Sequence, residues 1–197
     1  MATSATPNGA EPVNTLSASG SYTGKVRHIK IASGYGTAIF YGDFVKLVAA
    51  GTLEKAAVTT SVVAGTVGIF VGCSYTDPST NQMTFNQQFP ASTAASDIMA
   101  YVVDDPNVLF TIQADGAPTN VNDIYGKNTL LVQTAPDTSL KVSRVALDIS
   151  ELSTDAQNPI REIDYLGGHE GDEKGTSFPV LVCKFNYHQH SSTTGSA

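Results

Sequence analysis

Apolar residues are packed most densely between Ala64 and Tyr75, where Ala-Gly-Thr-Val-Gly-Ile-Phe-Val-Gly-Cys-Ser-Tyr places glycines among β-branched and aromatic side chains. A short apolar run of this kind reads as a buried strand. Glycines at 65, 68 and 72 weaken a strand unless the missing side chains are used, so they mark bulges, sharp bends or close backbone contact. A strongly bent sheet, such as a small barrel, would use them. The expected partner is Ala100 to Ala114. There Tyr101-Val102-Val103 and Val108-Leu109-Phe110-Thr111-Ile112 flank the turn formers Asp104-Asp105-Pro106-Asn107, and the two runs are expected to fold as a β-hairpin.

The same pattern extends over the rest of the chain. Lys25 to Ala32 alternates as a strand, and Thr37 to Val48 is a second apolar run with Gly42-Asp43 as a bulge or tight corner. Further strands are predicted over Leu53 to Thr60, Gln82 to Phe89, Thr129 to Thr134, Ser139 to Leu147, Ile160 to Leu166 and Phe178 to Tyr187. Residues 91 to 99 read as a brief helix or a loop. Thr119 to Gly126 has a capping residue and a closing glycine, predicting about one or two helical turns. A short helix over Asp148 to Ala156 would end before Asn158-Pro159. The expected fold is mainly β: a compact β-barrel or β-tulip-like domain over residues 25 to 187, with short helical turns.

Two flanking segments lack this periodicity. Residues 1 to 24 contain a single charged residue, Glu11, and cannot bury enough apolar surface to offset their own ordering. They are expected to form a flexible, extended N-terminal arm. Val13, Leu16 and Tyr22 are its sparse apolar anchors and its candidate partner-binding residues. Residues 188 to 197 read as a polar C-terminal tail.

Length changes little: 197 residues suffice for one good core with appendages. Charge changes more. The net charge of −7 and a sequence pI near 4.9 argue against a surface that neutralises nucleic-acid phosphates, because such binding depends on clustered Lys and Arg. No apolar run is long enough for a membrane-spanning helix. The N-terminus lacks the basic and apolar regions of a signal peptide, so export by the ordinary route is not expected. Cys73 and Cys183 each sit in an apolar strand, which favours buried free thiols over a disulfide.

Candidate chemistry is sparse. His188 and His190 have the strand spacing that points two side chains to one face, a possible pair of metal ligands, but they adjoin a Ser/Thr/Gly tail with no third ligand in register. A solvated C-terminal end is the preferred reading. His169-Glu170-Gly171-Asp172-Glu173 lacks the alternating ladder of a calcium loop and reads as a solvated loop. Asp104 and Asp105 are adjacent, so their side chains diverge and suit a turn better than paired catalytic carboxylates. Gly34-Tyr35-Gly36 is too short for a phosphate cradle, and Ser74 lies outside any Gly-x-Ser-x-Gly elbow. The expectation is no enzymatic activity, no catalytic residues, no metal and no cofactor.

Several stretches carry a family resemblance. Tyr41-Gly42-Asp43-Phe44-Val45-Lys46-Leu47, Val67-Gly68-Ile69-Phe70-Val71-Gly72-Cys73-Ser74-Tyr75, Val102-Val103-Asp104-Asp105-Pro106 and Phe110-Thr111-Ile112-Gln113-Ala114 occur in that order. The arrangement resembles tailed-bacteriophage virion proteins, especially capsid decoration (cement) proteins, over residues 37 to 134. The resemblance implies a barrel-like or tulip-like domain, a homo-oligomer with the trimer favoured, made in the host bacterial cytoplasm and seated on the outer surface of the capsid. Its partner would be the major capsid protein, with neighbouring subunits clamped against internal pressure and no direct nucleic-acid or membrane contact. The alternative is a virion tail, fibre or host-attachment module with the same glycine-rich β composition. A carbohydrate hydrolase would need paired acids across a groove. The absence of Trp disfavours a sugar-stacking platform, though the eight Tyr could substitute.

Overall fold

The computed structural model describes residues 4–16, 23–57 and 66–191. Thirteen strands are present among them. In chain order they are β1 (Glu11–Thr15), β2 (Arg27–Lys30), β3 (Phe44–Leu47), β4 (Leu53–Lys55), β5 (Thr66–Thr76), β6 (Met83–Asn86) and β7 (Met99–Val103). They continue with β8 (Val108–Gln113), β9 (Asn128–Thr129), β10 (Leu131–Gln133), β11 (Val145–Leu147), β12 (Ile160–Tyr165) and β13 (Val180–Phe185). One sheet has the order β1-β8-β13-β12-β9, and a six-stranded sheet runs β2-β7-β5-β3-β4 with β6 also paired to β5. Strands β10 and β11 form a separate ribbon. The fold is therefore mainly β and antiparallel. Neither sheet closes into a barrel, which corrects that expectation: among the described residues no ladder joins the outer strands of either sheet, and only an isolated parallel bridge, Ile31 to Leu53, links the end of β2 to β4.

β5 is the centre of the six-stranded sheet. β7 pairs along one of its edges, while β3 and β6 share the other, β3 against its first half and β6 against its last residues. Side chains alternate across it. Ile69 enters a core shared with the other sheet, where Phe44 and Val103 meet Val108, Phe110, Ile112, Leu181, Cys183 and Phe185. Phe70 enters a second core, with Val45, Val67 and Val102, closed by Ile31, Ile39, Leu53, Phe89 and Ile98. Burial on both faces explains the unbroken apolar run. Gly68 sits where a Cβ would lie 2.1 Å from the Val103 carbonyl oxygen, so only glycine permits this approach of the two backbones. A bulge between Phe70 and Gly72 then shifts the alternation, leaving Cys73 and Tyr75 inside.

In the shared core Phe110 lies 5.6 Å from Phe44 and 5.2 Å from Phe185 between ring centroids, and Phe44 lies 5.8 Å from Phe185. Tilted and edge-on contacts of this kind add about 0.5–1.5 kcal/mol each beyond area burial.

Five further expectations are corrected. β7 and β8 do not form a hairpin: β7 pairs with β5 and β2, whereas β8 pairs with β1 and β13. The Asp104–Asn107 turn instead carries the chain from one sheet to the other. Residues 120 to 126 form successive turns with no helix, and the only helical element described near 148 to 156 is a 3-10 turn over Ile149–Glu151, capped by the Asp148 side chain. The N-terminal segment is not a free arm where it is described. β1 adds to the edge of β8, Ala10 is fully buried, and the Ala10 N–H donates to the Gly42 carbonyl. Backbone pairing on an open sheet edge requires no side-chain periodicity, so the sequence pattern did not show it. His188, assigned to the polar tail, is 1% exposed.

Candidate functional site

The outward face of the six-stranded sheet carries the most distinctive surface. Met99 of β7 pairs with Ser74, and Ser74 pairs with Phe85 of β6, so these side chains share one face. Tyr101 and Met83 belong to the same face by the two-residue repeat. β6 turns its apolar side chains outward: Met83 is 59% and Phe85 72% exposed, while Thr84 and Asn86 turn toward the strand positions of Tyr75 and Cys73.

Beside this face lies a groove of about 720 Å³. Its floor is Val71, Gly72 and Val142, and its walls include Tyr41, Phe85, Tyr101 and Leu140. A Cβ on Gly72 would stand 3.2 Å from the Asn86 carbonyl oxygen and 3.6 Å from the Tyr101 ring, so glycine keeps the floor low. The N-terminal segment completes the groove with Asn8 and Glu11. Burial, then the Glu11 carboxylate, pushes the Tyr41 phenol up, keeping its hydroxyl protonated as a donor. The Tyr101 ring is supported by His28, with centroids 4.7 Å apart.

The predicted chemical residues fall elsewhere. The His188 Nε2–H donates to the Val67 carbonyl at 2.8 Å, and its Nδ1 accepts from the His190 N–H at 3.1 Å. Burial, then the neighbouring His190, pulls His188 down to about 4. With both ring nitrogens engaged it acts as a buried clasp between the C-terminal segment and β5, not as the solvated residue expected. His190 Nε2 accepts from Arg27 at 2.6 Å, and Arg27 also bonds Asp104 at 2.6 Å. Asp105 caps the turn, accepting from the Asn107 N–H at 2.9 Å, as its turn assignment predicts. His169, in its loop, bonds the hydroxyl of Tyr125 from the turns at 121–126 at 2.6 Å. Among the described residues, no group of three or more His, Cys, Asp or Glu is placed to hold a metal. Likewise, no described helix is long and apolar enough to cross a membrane.

Of the arm residues, Val13 is 45% and Leu16 52% exposed on and beside the edge strand β1, and Tyr22 lies outside the described residues. Cys73 and Cys183 are free, buried thiols in separate cores, as expected.

Two buried acids escaped sequence reading. Asp43, at the predicted corner, is fully buried and bonds Lys55 Nζ at 2.8 Å, the Phe40 N–H at 2.8 Å and the Ser143 hydroxyl at 2.6 Å. It ties three distant segments together. Glu162 is also fully buried, opposite Cys183, and neither carboxyl oxygen has a hydrogen-bond partner among the described residues. Burial pushes it up to about 8, so it is a neutral acid at neutral pH. Neither acid lines the groove.

Comparison with known proteins adds no relative: no family model, no curated protein and no solved structure matches the chain.

Proposed function

We propose that the chain is a structural virion protein that decorates the outer surface of a phage capsid and stabilises it by clamping neighbouring capsid subunits. The observation that carries this reading is the position of β1. It is the outermost strand of its sheet, no other described strand pairs with its far edge, and it presents Val13 while Leu16 follows immediately. An open edge with exposed apolar side chains can accept a strand or a side-chain contact from a neighbouring chain. Trimerisation would multiply such contacts, because copies held together engage a lattice at raised effective concentration. The resemblance of the inner strands to decoration proteins supports the same reading. The major capsid protein is then the partner, and the work is mechanical, with no cofactor.

Quantitative mass spectrometry of virions of the phage that encodes the chain tests this. Copy numbers comparable to those of the major capsid protein are expected, and heads carrying Val13→Asp with Leu16→Asp should rupture at lower temperature. A few copies per particle, or heads indifferent to both substitutions, would overturn the proposal. Few copies located at the tail would favour an attachment module.

A further inference from the structure

We propose that the groove between the outward sheet face and the N-terminal segment binds a neutral oligosaccharide chain. The site combines the two kinds of group that such a ligand needs. Tyr41, Phe85 and Tyr101 supply aromatic surface for the apolar C–H faces of sugar rings, and Gly72 leaves the floor flat enough for a ring to approach. Asn8, Gln87 and Glu11 supply amide and carboxylate groups for hydroxyls.

These polar groups are uncommitted. Among the described residues, the side chains of Asn8, Glu11 and Gln87 make no hydrogen bond to one another or to the rest of the fold, whereas Asn86, beside them, accepts from Lys141 Nζ at 3.2 Å. Glu11 is the one charged side chain among the groove's described lining residues, so the site gathers no cluster of like charges for a polyanion or a polycation. A charged ligand such as a nucleic acid, which requires clustered Lys and Arg, does not fit. Neither does a purely apolar one, because it would bury three free polar side chains without partners. The volume of about 720 Å³ lies in the range of small-molecule sites.

Binding is expected without cleavage. Glu11 is the one carboxylate among the groove's described lining residues, and glycoside hydrolysis by the usual route needs two facing acids. Hydroxyls of the ligand would meet Asn8 and Glu11 from the N-terminal segment and Gln87 from the segment after β6. The inference goes beyond the virion reading and does not require it, since binding belongs to the isolated chain.

The test uses the purified full chain with cellohexaose, maltohexaose and chitohexaose, followed by calorimetry and by saturation-transfer NMR. Saturable binding of at least one, with Kd on the order of 0.1 to 1 mM, is expected. The affinity should be insensitive to added salt. Phe85→Ala and Gln87→Ala should each weaken binding about tenfold or more. Both positions are exposed, so the variants should keep the parent's unfolding midpoint, and Tyr101→Ala is a further probe if it folds. Absence of binding by all three sugars would overturn the proposal. So would binding unchanged in both exposed variants, or self-association abolished by Phe85→Ala, which would make this face a contact between copies. Capsid decoration can fail while sugar binding stands, and the reverse, so the two readings are separately decided.

Discussion

Replacing Glu162 by Gln should reshape the pH dependence of stability in a way that its burial specifies. The carboxyl is held near about 8 against an ordinary value of 4.5, because burial penalises its charged form. Between those two values the folded chain keeps the proton and the unfolded chain releases it. Stability contributed by the neutral acid is therefore complete below about pH 4.5 and declines as pH rises toward 8, by about 1.4 kcal/mol per pH unit. Across the whole window the loss is on the order of 5 kcal/mol. Gln is nearly isosteric and does not ionise. Its buried amide carries a cost of about 1–3 kcal/mol if it too lacks partners, but that cost is the same at every pH. The diagnostic quantity is thus the difference in unfolding free energy, variant minus parent, measured by urea titration from about pH 5 to about pH 9. It should climb steadily across the window and turn positive at the alkaline end. Groups common to both proteins, His188 included, cancel in the difference. A difference that stays flat with pH would refute the reasoning, since it would mean that the carboxyl ionises freely and is solvated in the fold.

His188 acts in the opposite sense: pulled down to about 4 from 6.5, it contributes stability that is present above pH 6.5 and lost as pH falls through 4, about 3 kcal/mol in all, and His188→Gln should flatten this acid limb in denaturant titrations. Phe70→Ala or Phe110→Ala should each cost about 3–5 kcal/mol, and unchanged urea midpoints would show that these rings are not core residues. Asp43→Ala leaves the Lys55 ammonium without its partner and should cost about 3–5 kcal/mol by the same assay, with little effect expected only if Lys55 swings out to solvent. Deleting residues 1 to 15 should lower the thermal midpoint of the isolated chain, because it strips β1 from β8 and Ala10 from the core; a domain of unaltered stability would show that this segment is merely laid on the surface.

The inner strands were legible because burial on both faces leaves a dense apolar run with no polar alternation, as in β5. The pairing of β5 with the Tyr101 region could also be read, since both runs are rich in β-branched and aromatic residues, although β7 turns Met99 and Tyr101 to the outward face. The hairpin could not. Asp104–Asn107 signals a change of direction, but nothing local says whether the next strand returns to the same sheet, and here Val103 and Val108 meet in the core between the sheets. Closure into a barrel is decided by pairing between strands remote in sequence, so glycines at 68 and 72 were consistent with a bent closed sheet and equally with a bulge and a close contact. β1 was hidden for a simpler reason: Glu-Pro-Val-Asn-Thr is held by the main chain of β8, and main-chain bonds leave no signature in side-chain pattern.

The groove was illegible because its parts are ordinary wherever they stand in the chain. Asn8, Tyr41, Gly72, Gln87, Tyr101 and Val142 come from six separated segments, and none belongs to a motif that marks a binding site. Yet Met83-Thr84-Phe85-Asn86 contains a signal whose meaning depends on the fold. Alternation predicts that Met83 and Phe85 point inward, and stability alone would favour that register, since each buried side chain of this size is worth about 1.5–3 kcal/mol. The structure has the reverse register, with Phe85 72% exposed and Asn86 turned toward the Cys73 side. A short edge strand that gives up this burial, and sets an aromatic ring over a glycine floor among unpaired amides, has lost stability where a binding surface gains shape. That inversion, more than any single residue type, marks the outward face of β6 as the place where an external ligand is expected.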